Sequence, residues 1–180
     1  MQSLYPNKIL FAAIDVCNSN DVEKAIKDFV AYSGKLNGAV HAAGISKLTP
    51  LRAFNEEEAR QIMEISFWAG VKLLQICTKV KNVNCEASFV FFTSVRAYRA
   101  DKGSFAYSAT KSAIKIGLQS FAKELANKKI RVNSISPGWV NTELTIEQLK
   151  LHNLEEINKN HLLGIGNPKD VSGTVFIFAQ

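Results

Sequence analysis

Residues 88–94 read SFVFFTS, an apolar and largely aromatic run that ends on a serine. Such a run is typical of a strand buried on both faces of a sheet. A helical pattern follows over residues 105–126, and IRVNSI at 130–135 predicts a further strand. A strand, a helix and a second strand in this order indicate a parallel sheet with helical crossovers.

The same alternation continues upstream. KILFAAIDV (8–16) and GAVHAAG (38–44) predict two more buried strands. Between them, apolar residues recur at the spacing of one helical face, at Val22, Ala25, Ile26, Phe29 and Val30. A long helix is expected from the capping residue Asn55 toward Cys77, and a last helix near Pro168.

The composition is that of an ordinary globular protein. The 180 residues are 47% apolar and 21% charged, and their net charge of +6 is not concentrated in any dense basic run, so we interpret it as a solvated surface and predict no nucleic-acid partner. Cys17, Cys77 and Cys85 form no C-x-x-C pair, which predicts no metal site and suits a reducing cytoplasm. The absence of a long apolar stretch or a signal-peptide core predicts a cytoplasmic protein without a membrane segment.

Ligands of parallel sheets bind at the carboxyl ends of the strands. The residues predicted there are small, polar or turn-forming: Asp15, Val16, Ala42, Ala43, Gly44, Ser94, Pro137 and Gly138. They leave room for a flat ligand to lie across the strand ends. The alternative interpretation is that they are only the turns that any such sheet requires.

A serine, a tyrosine and a lysine favour the ligand-binding interpretation. Ser94 ends its strand, Tyr107 lies at the start of the next helix, and Lys111 follows one helical turn later on the same face. A nearby ammonium is expected to lower the pKa of the Tyr107 phenol toward the working range. Together with the Ser94 hydroxyl, this arrangement predicts an acid/base site that protonates a carbonyl oxygen as hydride arrives.

At these residues the sequence resembles the short-chain dehydrogenases/reductases. The resemblance rests on FFTSV (91–95), YSATK (107–111), HAAG (41–44) and IRVNSISPGWVNTEL (130–144), and it covers nearly the whole chain. It implies an α/β fold with a Rossmann-like doubly wound parallel sheet and helices on both faces. It also implies NAD(P)-dependent hydride transfer between a nicotinamide and a small carbonyl or alcohol substrate, with 3-oxoacyl reduction as the commonest example.

The resemblance also implies roles for particular residues. The family's catalytic serine, tyrosine and lysine fall on Ser94, Tyr107 and Lys111, and Lys111 is also implied to hold the nicotinamide ribose. The implied cofactor-binding residues are Asp15, Val16, Ala42, Ala43, Gly44, Tyr107, Lys111, Pro137, Gly138, Val140 and Thr142. Thr142 is equally suited to begin a helix as its N-cap, and both roles are compatible. In full-length form such proteins are expected to be homodimers or homotetramers.

Two residues depart from the family pattern. The asparagine that supports a water-linked proton relay to the lysine is replaced here by Ser66, which we retain as a catalytic candidate although its hydroxyl offers fewer hydrogen-bonding groups. HAAG stands in place of the commoner Asn-Asn-Ala-Gly, and we interpret His41 as a structural residue with its hydrogen bonds satisfied.

The largest departure concerns the phosphate-binding turn. The family opens with a strand and a glycine-rich turn, T-G-x-x-x-G-x-G, and neither Gly34-x-x-x-Gly38 nor Gly164-Ile165-Gly166 matches it. We therefore expect residues 1–180 to be one partial domain that lacks the first two strand–helix units and the last strand. The strand at 38–43 would then have an open edge. Weak dinucleotide binding is expected, and the choice between NADP and NAD is not encoded in this chain.

A different class of function remains open at this point. The chain could be a non-catalytic interaction protein that pairs through the open sheet edge or through the aromatic residues Phe67 and Trp68. The substrate is expected to be selected by residues 143–164, which carry no recognisable signature. Arg96 and Arg99 follow Ser94 closely and could meet an acidic substrate, but we interpret them as solvated surface.

Overall fold

A computed structural model describes residues 9–150 and 154–179 of the chain. Within these residues the sheet has three parallel strands, β1 (Leu36–His41), β2 (Val83–Phe92) and β3 (Arg131–Ile135), in the order β1-β2-β3. The predicted α/β class and parallel sheet are confirmed. The strand predicted at 38–44 begins and ends slightly earlier than its sequence pattern suggests.

Helices account for most of the remaining described chain. Their bounds are α1 Ser19–Ser33, α2 Glu56–Met63, α3 Ala69–Cys77, α4 Phe105–Leu125, α5 Glu143–Lys150, α6 Leu154–Asn160 and α7 Pro168–Ala179. A π-helical turn over Glu64–Trp68 joins α2 to α3, so the long helix predicted from Asn55 is present but interrupted. None of the described helices has both the length and the apolar character needed to cross a bilayer.

Side-chain caps explain where the first helices begin. The Asn18 side chain accepts hydrogen bonds from the backbone N–H groups of Asn20 and Asp21, at 3.1 and 3.4 Å. The Asn55 side chain accepts one from the N–H of Glu58 at 3.1 Å, as its sequence context predicted. Each cap satisfies backbone donors that have no partner within the helix.

The core lies on both faces of β2. Phe89 and Phe91 point to one face, where they pack with residues of α3 and α4 such as Leu74 and Ile114. Val90 is fully buried and, by strand alternation, points to the other face, which α7 covers. Helices on both faces make the sheet doubly wound, and they leave the carboxyl end of β2 as the open side where a ligand can bind.

The first predicted strand is wrong in its described part. Residues 9–15 form no ladder, and Leu10, Phe11 and Ile14 are exposed, Phe11 to 83%. Among the described residues no strand lies beside them, and β1 pairs only with β2. An apolar run becomes a strand only where a neighbour can accept its backbone hydrogen bonds, and here the described chain supplies none.

Candidate active site

The predicted serine, tyrosine and lysine meet at the carboxyl end of β2. Ser94 follows the strand, and α4 begins at Phe105, which places Tyr107 in its first turn and Lys111 one turn later. All three side chains line one cleft of about 420 Å³. The Lys111 Nζ lies 5.4 Å from the centroid of the Tyr107 ring.

Lys111 is a buried cation. Its side chain crosses the cleft wall, and Nζ donates a hydrogen bond of 2.8 Å to the carbonyl oxygen of Phe92. The residue is only 6% exposed, and this burial lowers the pKa of the ammonium from its usual value to about 8. Lys111 therefore gives up a proton much more easily than a surface lysine does.

Tyr107 is a buried phenol whose surroundings favour its protonated form. Burial raises the pKa of Tyr107, while a hydrogen bond from Ser94 and the charge of Arg96 lower it in part. The expected lowering of this pKa by Lys111 is not found, because burial has the larger effect, and the Lys111 ammonium donates its hydrogen bond to the Phe92 carbonyl oxygen. A protonated phenol suits the donation of a proton to a carbonyl oxygen.

Ser66 lies inside the π-helical turn and faces Lys111 across Gly44. Its hydroxyl oxygen is buried and has no hydrogen-bond partner among the described residues. A Cβ atom added to Gly44 would lie 3.2 Å from Ser66 Oγ and 3.7 Å from Lys111 Nζ. The glycine therefore keeps a space between two polar groups, and the buried Ser66 hydroxyl beside that space is free to hydrogen-bond a small polar group.

His41 is part of the packing behind the site. Its ring lies 5.7 Å from that of Phe91 and against Gly70, where an added Cβ would meet the ring at 2.8 Å. Burial lowers the pKa of the imidazole, so the ring is neutral at physiological pH. The structural role is as expected, but the ring is not fully satisfied, because Nε2 has no hydrogen-bond partner in the described part of the chain.

The cleft is lined by most of the residues that were expected to bind a cofactor. Those present are Ala42, Gly44, Tyr107, Lys111, Pro137, Gly138, Val140 and Thr142. Its volume is in the range of natural cofactor sites, and the buried ammonium and the small residues fit the nicotinamide and ribose of a dinucleotide. Asp15, Val16 and Ala43 do not line it. Asp15 instead accepts a hydrogen bond from the N–H of Cys17 at 2.9 Å, in a stretch that no strand holds in the sheet.

Two helices contribute lining residues that the sequence did not indicate. They are Leu144 and Thr145 on α5, and Pro168, Val171, Ser172 and Val175 on α7. The apolar residues of α7 were compatible with simple core packing, and no motif distinguished them. Thr142 directly precedes α5, as an N-cap does, and its hydroxyl lies 3.2 Å from that of Thr145.

A second, smaller cavity of about 60 Å³ shares Ser94 and Tyr107 with the cleft. Arg96 and Trp139 line it, with the Arg96 guanidinium 5.8 Å from the Trp139 ring centroid. The interpretation of Arg96 as solvated surface is wrong, because its side chain is only 15% exposed. The turn Val95–Ala97 folds it inward, whereas Arg99 is exposed as expected.

Comparisons with known proteins identify the family of the chain. A family model described as "Enoyl-(Acyl carrier protein) reductase" matches residues 2–180. A 3-oxoacyl-[acyl-carrier-protein] reductase of Bos taurus is 30% identical over 164 residues, which cover 91% of this chain and 68% of the relative.

Solved structures show the same fold. A short-chain dehydrogenase/reductase from Brucella melitensis superposes with a TM-score of 0.87 at 26% identity, covering 94% of this chain and 68% of the other. ElxO, solved with NADP bound, superposes with a TM-score of 0.87 at 21% identity. The superposition covers 99% of this chain and 75% of ElxO. The chain therefore belongs to the short-chain dehydrogenase/reductase family and is an oxidoreductase of the type that uses a nicotinamide dinucleotide.

Proposed function

We propose that the chain reduces a small carbonyl compound to an alcohol, and catalyses the reverse oxidation, with Tyr107 as the acid and base. The observation that carries this proposal is the convergence of Ser94, Tyr107 and Lys111 on one cleft at the carboxyl end of β2. A 3-oxoacyl compound is the substrate class favoured by the name of the Bos taurus relative.

Each group has a distinct task in this proposal. The Tyr107 hydroxyl donates its proton to the substrate oxygen, and the Ser94 hydroxyl holds that oxygen beside it. The Lys111 ammonium is close enough to the cleft to bind ribose hydroxyls, and Gly138 and Val140 shape the wall for the nicotinamide. When bound, the dinucleotide supplies or accepts the hydride.

Ser66 completes a route for the proton. Its unpartnered hydroxyl and the Lys111 ammonium face each other across the space left by Gly44. We propose that a water molecule in this space is hydrogen-bonded to Ser66 and returns a proton toward Lys111 and Tyr107 after each turnover. The lowered pKa of Lys111, about 8, places its proton exchange close to physiological pH.

The cofactor is NADP or NAD, and the site is proposed to operate in the cytoplasm in a homodimer or homotetramer. Trp68, at the end of the π-helical turn, supports a self-association surface, because it is a large aromatic side chain that remains half exposed. Sedimentation velocity across a concentration series checks this, since a chain that remains monomeric at high concentration contradicts it.

The catalytic proposal is tested by NADPH- and NADH-dependent reduction of 3-oxo compounds. Both cofactors are supplied in large excess over the protein. We expect measurable turnover with wild-type protein and its loss in Tyr107→Phe, with cofactor affinity measured separately by calorimetry. Turnover that survives in Tyr107→Phe contradicts the assignment of the proton donor.

A further inference from the structure

The smaller cavity beside the acid/base pair has one cationic wall. It is about 60 Å³ in volume and is bordered by Ser94, Tyr107, Arg96 and Trp139. A single water molecule needs a cavity of roughly 10–15 Å³, so this cavity has room for a group of a few heavy atoms. A substrate whose reacting oxygen lies against Ser94 and Tyr107 extends naturally into this space.

Arg96 is held in place from several directions. Its backbone N–H donates to Ser94 Oγ at 3.2 Å, its guanidinium lies over the Trp139 ring, and Nη1 forms an ion pair with Asp101. A side chain that is fixed in this way loses little conformational freedom when it binds a ligand. Its position is therefore preorganised relative to the Ser94 hydroxyl.

The guanidinium has unused binding capacity. It carries five N–H donors, and among the described residues its one charged partner is Asp101, whose side chain is 48% exposed. Burial lowers the pKa of Arg96, which reflects the cost of holding this cation away from water. The ion pair engages Nη1, so a ligand anion can bind the remaining N–H groups while Asp101 stays in place.

We propose that Arg96 binds the carboxylate of a small oxo-acid substrate, whose ketone oxygen lies against Tyr107 and Ser94. This inference rests on the proposed function and assigns the chemical class of its substrate. A carboxylate is planar and matches the donor fork of a guanidinium, which a neutral ester cannot do with equal strength. The Trp139 ring and Leu144 provide apolar wall for the short carbon chain.

The test compares two ligands that share a ketone and differ in charge, acetoacetate and methyl acetoacetate. Binding to the 180-residue protein at pH 7 is followed by NMR, with ¹³Cζ-labelled tyrosine and ¹⁵N-labelled tryptophan reporting on Tyr107 and Trp139. Both signals are assigned with Tyr107→Phe and Trp139→Phe. We expect acetoacetate to bind at least about 10-fold more tightly than its ester, as is typical of a charge-assisted hydrogen bond.

Three variants separate Arg96 from general surface charge. Arg96→Gln should remove the preference for acetoacetate, Arg96→Lys should keep part of it, and the exposed neighbour control Arg99→Gln should leave it unchanged. Equal affinity for the two ligands in wild-type protein, or a preference that survives in Arg96→Gln, overturns the proposal. Circular dichroism checks the fold of each variant, and if Arg96→Gln is unfolded, the wild-type ligand comparison and Arg96→Lys decide.

Turnover is measured separately, by NADPH oxidation with each ligand. A preference for acetoacetate in binding without any reduction contradicts the proposed function and leaves the Arg96 site standing. Reduction of both ligands with equal KM contradicts the Arg96 site and leaves the proposed function standing.

Discussion

The Lys111 ammonium donates a 2.8 Å hydrogen bond to the carbonyl oxygen of Phe92, the last residue of β2. This bond ties helix α4 to the strand that ends next to Ser94. Burial meanwhile raises the pKa of Tyr107, one turn earlier on the same helix. In the proposed function, the lysine binds a ligand hydroxyl and the phenol donates a proton.

Replacement of the phenol separates proton donation from binding. Tyr107→Phe is expected to lower kcat for carbonyl reduction at least about 100-fold, which is typical for the loss of a general acid. Cofactor affinity should stay within about 2-fold, because the ring that packs in the cleft is retained. Steady-state kinetics and calorimetry measure the two quantities, and a parallel fall in affinity would mean that Tyr107 acts mainly in binding.

A side chain at residue 44 is expected to block the proton route. In Gly44→Val the added carbons enter the space between Ser66 Oγ and Lys111 Nζ, where even a Cβ atom lies 3.2 Å from the former. Reduction should fall at least about 10-fold, within the range of acid/base contributions, while thermal unfolding confirms that the protein is folded. Gly173→Val is the control with the same substitution, because an added Cβ there meets no heavy atom within 4 Å. Unchanged turnover in a folded Gly44→Val protein would contradict the proposed relay.

The buried lysine predicts a specific dependence of stability on pH. The folded-state pKa of Lys111 is lowered to about 8, below the value in the unfolded chain, so the unfolded state binds more protons between these two values. The free energy of unfolding is therefore expected to rise with pH above about 8, by roughly 1–2 kcal/mol up to pH 9.5. Urea unfolding of wild type and Lys111→Met at several pH values measures the difference. An equal pH dependence in the two proteins would show that Lys111 is not the cause.

A steric relationship links the Pro137–Gly138 turn to His161. Two hydrogen bonds fix the His161 ring. Nε2 accepts one from the backbone N–H of Trp139 at 3.0 Å, and Nδ1 lies 2.9 Å from the carbonyl oxygen of Ile157. A Cβ on Gly138 would lie 2.7 Å from His161 Nε2. Gly138→Ala is expected to destabilise the protein by about 1–3 kcal/mol, as overpacking does.

The double variant provides the control for this prediction. In the His161→Ala background the ring is gone, so Gly138→Ala should cost much less than it does alone. Thermal or urea unfolding of the four proteins in the cycle measures the coupling. Additive effects would mean that the two residues do not meet.

The sequence predicted the elements that carry their own local signal. The strand that contains Ser88 is continuous in hydrophobicity and has a partner on each side, and Asn55 caps its helix with its own side chain. The run before Asp15 has the same apolar character as a buried strand, but a strand also needs a partner for its backbone. Hydrophobic pattern alone does not contain that information.

At the site, too, the features with a local sequence signal were predicted, and those that depend on distant contacts were not. Ser94, Tyr107 and Lys111 were expected to meet because their spacing reflects one strand end and one helix face, and they line one cleft. The hydrogen bond from the Lys111 ammonium to Phe92 and the inward position of Arg96 were not predicted, because each depends on which groups a side chain meets in the folded chain. The expected lowering of the Tyr107 pKa was not found, because burial raises it, and the burial of one side chain is not contained in a residue spacing.

Ser66 lies in the π-helical turn over Glu64–Trp68, so the direction of its side chain depends on the number of residues in this turn as well as on the residue type. A π turn contains one residue more than the α-helical turn it replaces. Deleting a single residue from it would restore a regular α turn and remove the local bulge, while the helices on either side keep about the same orientation. Ser66 could then keep its identity and yet face another direction, so the spacing of this segment is as much a part of the site as the serine itself.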